Sequence, residues 1–338
     1  MKVKIWGGTG SSPSPIPSSA VQQKIVEIGQ EIAQKRIPPE EVANYVESLP
    51  WHRTGVLGGN TACVEVKISE KITLIFDLGS GFRAKAMQML YEYFESGKKK
   101  RPKATIFVSH THLDHISGLY LAAPLFVADT CFQIFGPRRS GKSFEEIIFS
   151  HFEEPDYYPV FSDNMDAMNN GNIEFMSFSN INLIVIDKNG VARLENRYDY
   201  QKREDDEVLV RLFRHRAHPN LGCYHFRVEH QGKSLVYATD REEFMDGDDL
   251  ESEFSADCDL LINDSQYLEK DIKTKRGYGH SSARMAGFSA KKCGAKRLCL
   301  FHFNPGYREI DAFRLKQEAE GEYLGEVLIG YEGLEIDI

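Results

Sequence analysis

The stretch that decides how this 338-residue chain is read is Ser109-His110-Thr111-His112-Leu113-Asp114-His115. Strand formers from Thr105 to Val108 lead into it and Ile116-Ser117-Gly118-Leu119 follows, so four potential metal ligands lie within six residues at a strand end. In an extended segment His110 and His112 project to one side, whereas Asp114 and His115 come after the chain begins to turn and face a second position. Crowded together there, three imidazoles and a carboxylate would repel or titrate unless a cation neutralised them. A metal site is expected, and one such segment can serve two metals.

Other strands end in the same way. His218 sits at the tight turn of Arg216-Ala217-His218-Pro219-Asn220-Leu221-Gly222 and is the natural fifth ligand. The apolar strand Ser234 to Thr239 finishes in Asp240, a carboxylate placed to bridge two cations, and Leu298-Cys299-Leu300-Phe301 finishes in His302. In a sheet sandwich these ends converge on one edge, above a rigid core. Asp77, at the end of Ile72 to Phe76, can orient a ligating histidine from behind or cap the next helix. His215, His225 and His230 lie on strands, where hydrogen-bonded or exposed roles are the commoner ones.

With 41% hydrophobic and 27% charged residues, the composition is that of a soluble globular protein with a substantial core. No apolar run approaches the ~20 residues of a membrane span, and Lys2-Val3-Lys4-Ile5-Trp6 opens the chain as a strand, so a cytoplasmic location is expected. The six cysteines form no CxxC pair and suit reduced, mostly buried thiols. A net charge of −9 weighs against a nucleic-acid coat protein but leaves room for a local basic patch, for which Lys98-Lys99-Lys100-Arg101 is the candidate.

Gly7 to Pro15 forms a Gly/Ser/Pro loop that could cradle an anion or be a plain tight loop. Val21, Ile25, Ile28 and Ile32 then fall at helical spacing, and Pro38-Pro39 opens a second helix with Val42, Tyr45, Val46 and Leu49 on one face. A helical insertion over about 18–50 is expected inside a single domain spanning 1–338. It could be a lid, a packing element or the contact of a homodimer. Gly136-Pro137-Arg138-Arg139-Ser140-Gly141-Lys142-Ser143 matches a phosphate-binding loop literally, between the strand Cys131–Phe135 and a helix from Phe144 to Phe152. Short patterns of this kind also arise by chance, as does the strand-end Asp187 that would complete it. Tyr157 to Asn182 reads as turn-rich, Ile184 through Leu194 and Val208 to Phe213 as strands, and Asp199 to Glu207 as an exposed loop.

His110, His112, Asp114, His115, His218, Asp240 and His302, in this order, resemble the ligand set of the metallo-β-lactamase-fold superfamily, and the likeness runs through nearly the whole chain. The resemblance implies an α/β architecture, a four-layer αβ/βα sandwich with a binuclear site between the sheets. It implies that His110, His112 and His218 hold one metal, that Asp114, His115 and His302 hold the other, that Asp240 bridges them and that Asp77 supports from behind. Gly58-Gly59-Asn60-Thr61, the Gly136-Pro137 turn, Ile262 to Tyr267, Gly279-His280-Ser281-Ser282 and His302 to Tyr307 are similar to the phosphodiesterase and tRNase Z side of the superfamily. His110 to Leu119 also resembles the opening of the class II cyclic-nucleotide phosphodiesterase signature, from which the chain departs at Tyr120. Asp264 stands where tRNase Z has a glutamate, and no Gly-rich clamping arm is visible.

The chemistry implied is hydrolysis of a phosphodiester, in a cyclic nucleotide or a nucleic acid. Two divalent metal ions, zinc or else manganese or iron, would lower the pKa of a shared water from about 15.7 to about 7. The hydroxide so formed attacks phosphorus, with Asp114 among the catalytic ligands. His280, oriented by Asp264, would protonate the leaving alkoxide as general acid; the bland alternative is a helix-start residue. A lactone or thioester hydrolase of the same fold and a non-catalytic metal-binding module are the rival readings.

Overall fold

Apolar residues in the early strands alternate between two cores. Leu74 and Phe76 pack into one and Ile75 into another, and Phe107 and Ile106 divide in the same way. A strand buried on both faces belongs to a sheet covered on both sides. The computed structural model describes residues 1–152, 168, 170–201, 206–219, 222–243 and 249–338.

The first strands are β1 (Lys2–Gly7), β2 (Cys63–Lys67), β3 (Thr73–Phe76), β4 (Lys103–Phe107), β5 (Cys131–Pro137), β6 (Ile173–Phe178), β7 (Asn182–Ile186) and β8 (Ala192–Asn196). They are followed by β9 (Val208–His215), β10 (Cys223–His230), β11 (Lys233–Ala238), β12 (Leu260–Asp264), β13 (Arg297–Phe301), β14 (Glu326–Ile329) and β15 (Glu335–Asp337). One sheet has the order β15-β1-β2-β3-β4-β5-β6, the other β14-β13-β12-β11-β10-β9-β7-β8. β3 to β6 run parallel, as do β11 to β14, so each sheet has a block of strands whose carboxyl ends share an edge.

Between the sheets the aromatic rings interlock: Phe226 lies 5.5 Å from Phe76 and 5.6 Å from Phe107, and Tyr237 lies 5.5 Å from Phe76. Outside the first sheet, the helices Ser80–Glu95 and Phe144–Phe152 bury Phe82, Ala86, Phe144 and Ile148. Outside the second, Ala283–Cys293 and Glu309–Glu320 bury Ala286, Ala290, Ala312 and Leu315. The expected four-layer αβ/βα sandwich is the observed fold. No helix among the described residues is long and apolar enough to cross a membrane.

Between β1 and β2 stand the helices Ser18–Lys35, Val42–Ser48 and Trp51–Thr54. Trp51 stacks on Tyr331 at 4.7 Å and Lys24 pairs with Glu309 at 3.0 Å, yet no residue of Ser18–Lys35 is buried. The helical stretch runs a few residues past its expected end because Pro50 starts one more turn.

Two details differ from expectation, and a third answers a question the sequence left open. The span Ile184 to Leu194 is two antiparallel strands, reversed where Asp187 Oδ1 accepts the amides of Asn189 and Val191. Asp187 is thus a turn residue, not the partner of a phosphate loop. β6 lies inside the stretch read as turn-rich; residues 153–167 and 169 of that stretch fall outside the described residues, as do 202–205 of the expected loop and 220–221 of the His218 turn. The phosphate-loop match is a closed turn. The amides of Arg139 and Lys142 bond each other's carbonyls, Ser143 donates to Glu146 at 2.6 Å and Phe144 to Ser177 at 2.8 Å, which leaves none of these four for an anion.

Phe226 is fully buried against the rings of Phe76, Phe107 and Phe178. Phe226→Ala is expected to cost about 3–5 kcal/mol of unfolding free energy, read as a lowered urea midpoint at unchanged slope.

Candidate metal centre

The site is assembled where the parallel blocks of both sheets end. β3 delivers Asp77, β4 runs into His110, β11 into Asp240, β12 ends on Asp264 and β13 runs into His302. Asp77, Asp240 and His302 have left-handed backbones, with φ of 61°, 52° and 62°. Such a residue ends the strand abruptly and costs of order 1–3 kcal/mol, so the surrounding contacts must hold it. His112 precedes the single helical turn Leu113–Ile116, which carries Asp114 and His115, so the motif turns where its spacing requires.

Four overlapping groups of donor atoms form among the described residues. His110, His112 and His218 gather on one side and Asp114, His115, Asp240 and His302 on the other, while His280 adjoins both, once with His218 and Asp240 and once with Asp264 and His302. Asp240 faces both: its Oδ1 is 3.6 Å from Nε2 of His110 and of His218, while its Oδ2 is 3.0 Å from His115 Nε2 and 3.4 Å from His302 Nε2.

Behind these groups, hydrogen bonds fix which ring nitrogen faces inward. His115 Nδ1 donates to Asp77 Oδ2 at 2.7 Å, and His218 Nδ1 donates to the Gly279 carbonyl at 3.1 Å. The Ser109 hydroxyl donates to Asp77 at 2.9 Å and accepts from His110 Nδ1 at 3.0 Å. Nε2 is therefore the inward atom of each of these rings.

Burial pushes His110 well down and His218 down to about 4, which keeps their inward lone pairs available. Burial would lower His115 as well, but the carboxylates of Asp240, Asp114 and Asp77 outweigh it and raise this ring well above its usual range. Burial alone would raise Asp240; the rings of His115, His302 and His110 hold it well below the carboxylate range instead. The inward Nε2 of His110 is buried with no hydrogen-bond partner, and that of His115 faces only carboxylate oxygens, of Asp240 at 3.0 Å and Asp114 at 3.3 Å. Orphaned, convergent nitrogens beside carboxylates are a fit for divalent cations.

Next to this cluster, His280 Nδ1 donates to Asp264 Oδ2 at 2.7 Å, and its ring stacks on His302 at 5.0 Å. Asp264 Oδ1 also accepts the Ser281 amide at 2.9 Å. Burial opposes a charge on His280, but Asp264 more than offsets it and raises the ring to about 9. The cap of the helix Ala283–Cys293 is Ser282, so His280 is not held there as a helix-start residue. Asp77 caps nothing either: it accepts from Ser109, His115 and Tyr237, the last at 2.8 Å. His215 and His225 stand apart on Glu251, at 3.1 and 2.5 Å.

Two contributors escaped the reading of the sequence. Glu242, buried two residues after Asp240, accepts the amides of Gly277 and Gly279 at 2.8–3.0 Å. Both glycines have φ of 85°, and the turn they make supplies the carbonyl to His218 and leads into His280. Gly10 is the second: a Cβ there would lie 2.5 Å from the His302 ring. The loop around it commits its amides to the protein, Gly10 to the Phe303 carbonyl and Ser11 to Asp114 Oδ2, both at 2.8 Å, so it is a clamp on ligands rather than a cradle for an anion. No local pattern marks Glu242; Gly10 sat in a visible glycine loop, but what it approaches is some 290 residues away in the chain.

Residues 73–303 match the model of the family described as beta-lactamase superfamily domain. The chain is 25% identical over 272 residues to ribonuclease Z of Picrophilus torridus, covering 72% of this chain and 80% of that protein. It is 24% identical over 302 residues to ribonuclease Z of Streptococcus sanguinis, covering 78% and 90%. Among solved structures it is similar in fold to the short form of human tRNase Z, with a TM-score of 0.56, 18% identity and coverage of 100% and 99%. The metallo-beta-lactamase-fold protein YhfI of Bacillus subtilis gives 0.58 at 19% identity, covering 99% and 98%.

Gly10→Ala must displace His302 or the loop, and metal content by plasma emission is expected to fall while far-ultraviolet circular dichroism stays unchanged. Glu242→Gln loses the charge that meets these amides and turns its NH2 toward the Gly277 N–H at least; a loss of about 1–3 kcal/mol in stability is expected, together with faster metal loss to a chelator.

Proposed function

The chain belongs to the beta-lactamase superfamily domain family, and from that membership and the geometry of its site we propose a metal-dependent phosphodiesterase acting on nucleic acid. Zinc suits the mixed nitrogen and oxygen donors best. In this reading His110, His112 and His218 would hold one ion, Asp114, His115 and His302 a second, and Asp240 would serve both. Divalent cations held there would activate water and neutralise the non-bridging phosphate oxygens. Six free thiols, five of them buried, support a reducing compartment, the cytoplasm. A homodimer through Ser18–Lys35 also belongs to this reading.

The observation that carries the choice of reaction is the hydrogen bond from His280 to Asp264. With Nδ1 engaged at 2.7 Å, His280 has Nε2 left to hold a transferable proton. As the bond from phosphorus to the leaving oxygen breaks, that proton passes to the oxygen and leaves a neutral ring, still tethered to Asp264. An alkoxide such as a ribose oxygen needs this proton; a nitrophenolate does not. The ribonuclease Z relatives support a nucleic-acid phosphodiester as substrate.

His280→Ala is expected to lower turnover of an RNA substrate by roughly 10²–10⁴-fold and to leave metal content unchanged. Bis(p-nitrophenyl) phosphate should lose less than about tenfold, because its leaving group departs unprotonated. Equal losses on both substrates would sink the proton-donor role. Turnover of a lactone or thioester with none of either phosphodiester would overturn the function itself.

A further inference from the structure

A chain of net charge −9 gathers positive charge in one cleft of about 850 Å³, at the end of the first sheet where β4 begins. Nine lysine and arginine side chains line it against four glutamates, a surplus of five positive charges. Three of those glutamates are already engaged: Glu65 with Lys85 at 2.7 Å, Glu70 with Lys67 at 2.6 Å, and Glu335 with Lys2 and Lys4 at 2.6 and 3.1 Å. Lys71, Lys99, Lys100 and Arg101 pair with no carboxylate among the described residues. Their placement is not slack. The Ser96 hydroxyl accepts the amides of Lys99 and Lys100 at 3.2 and 2.9 Å, which folds the basic run into a turn at the cleft wall.

Lys2 and Lys67 stand directly opposite each other across β1 and β2, each held by its own glutamate, so the unpaired positive charge of the cleft lies with Lys71, Lys99, Lys100 and Arg101. A row of cations along a cleft whose apolar lining residues are Met89 and Pro102 matches a chain of phosphates.

We infer that this cleft binds the sugar-phosphate backbone of RNA, as a docking surface remote from the metal centre. The inference rests on the nucleic-acid reading of the site: a substrate cut at one end of the sheet would be held by its backbone at the other. Such contacts fix position and carry no sequence information.

The test uses the full-length, metal-loaded protein and a fluorescein-labelled RNA hairpin with hydrolysis-resistant phosphorothioate linkages, titrated by anisotropy over a range of salt. Lys99→Glu/Lys100→Glu/Arg101→Glu alters only exposed side chains. It is expected to raise Kd about tenfold or more and to flatten the slope of log Kd against log salt by about 2, some 0.7–0.9 for each lost phosphate contact. Lys291→Glu/Arg314→Glu/Lys316→Glu changes the net charge equally on the helices over the second sheet and is expected to stay within about twofold of the unsubstituted protein. Unchanged affinity in the first variant, or an equal loss in the second, would overturn the inference. Turnover of bis(p-nitrophenyl) phosphate and of cleavable RNA separates the two readings. Binding through this cleft by a protein that hydrolyses neither substrate refutes the phosphodiesterase and leaves the cleft standing.

Discussion

Taking a carboxylate out of water costs several kcal/mol unless its lone pairs are met, and Asp77, wholly buried at the end of β3, is met four times. It accepts the amide and the hydroxyl of Ser109, the phenol of Tyr237 and Nδ1 of His115. Tyr237 belongs to the second sheet, so this one carboxylate ties the two sheets together at the edge where the site forms. Ser109 and His115 flank the motif, so the same group sets the exit of β4 and the direction of a ring. The core between the sheets and the orientation of the donors thus share a fastening. Loosening either would disturb the other.

Why the donors converge follows from how the strands stop. A left-handed residue swings its side chain out of the strand's alternation, and Asp77, Asp240 and His302 all do this at neighbouring carboxyl ends. Aspartate is among the residue types found most often in that conformation apart from glycine. Strain of this kind persists because each residue is overdetermined: Asp77 by its four bonds, Asp240 by Thr239 at 2.7 Å, His302 by the Gly10 loop pressed against its ring. The clamp comes from the amino-terminal end of the chain, which explains why β1 and its glycine loop lie beside residues from the opposite end of the sequence.

Much of this could be read from the chain. His110 to His115 announces itself by spacing, and His218, Asp240 and His302 by standing at the ends of apolar strands, because strand periodicity and donor chemistry are both local properties. Glu242 was illegible for the opposite reason: its partners are amides of Gly277 and Gly279, which carry no side-chain signal. The phosphate-loop match at Gly136 to Ser143 shows a motif satisfied in letters and closed by hydrogen bonds, since four of the amides that would face an anion, those of Arg139, Lys142, Ser143 and Phe144, bond the protein instead. The Asp187-Lys188-Asn189-Gly190 turn between β7 and β8 was readable, because Asn-Gly is a strong hairpin signal. β6 was hidden by the Asn- and Gly-rich segments at its ends.

Chemistry and recognition are separable here on electrostatic grounds. From Lys103, at the start of β4, to His110, beyond its end, is seven residues, or roughly 20 Å of extended chain. Lys71, Lys99, Lys100 and Arg101 of the cleft face solvent, where screening acts over about 8 Å at physiological salt, and the buried donors take their shifts from burial and from one another rather than from the cleft. Six of the seven donors are buried and His112 is half-buried, with hydrogen bonds fixing the outward side of the His110, His115 and His218 rings, while Lys99, Lys100 and Arg101 stand on a turn held chiefly through backbone amides. Substitutions in that turn can alter which polyanion is held without touching the donor set. A fold arranged in this way keeps one reaction while its substrate changes, which is why the donor set identifies the chemistry more readily than the molecule on which it acts.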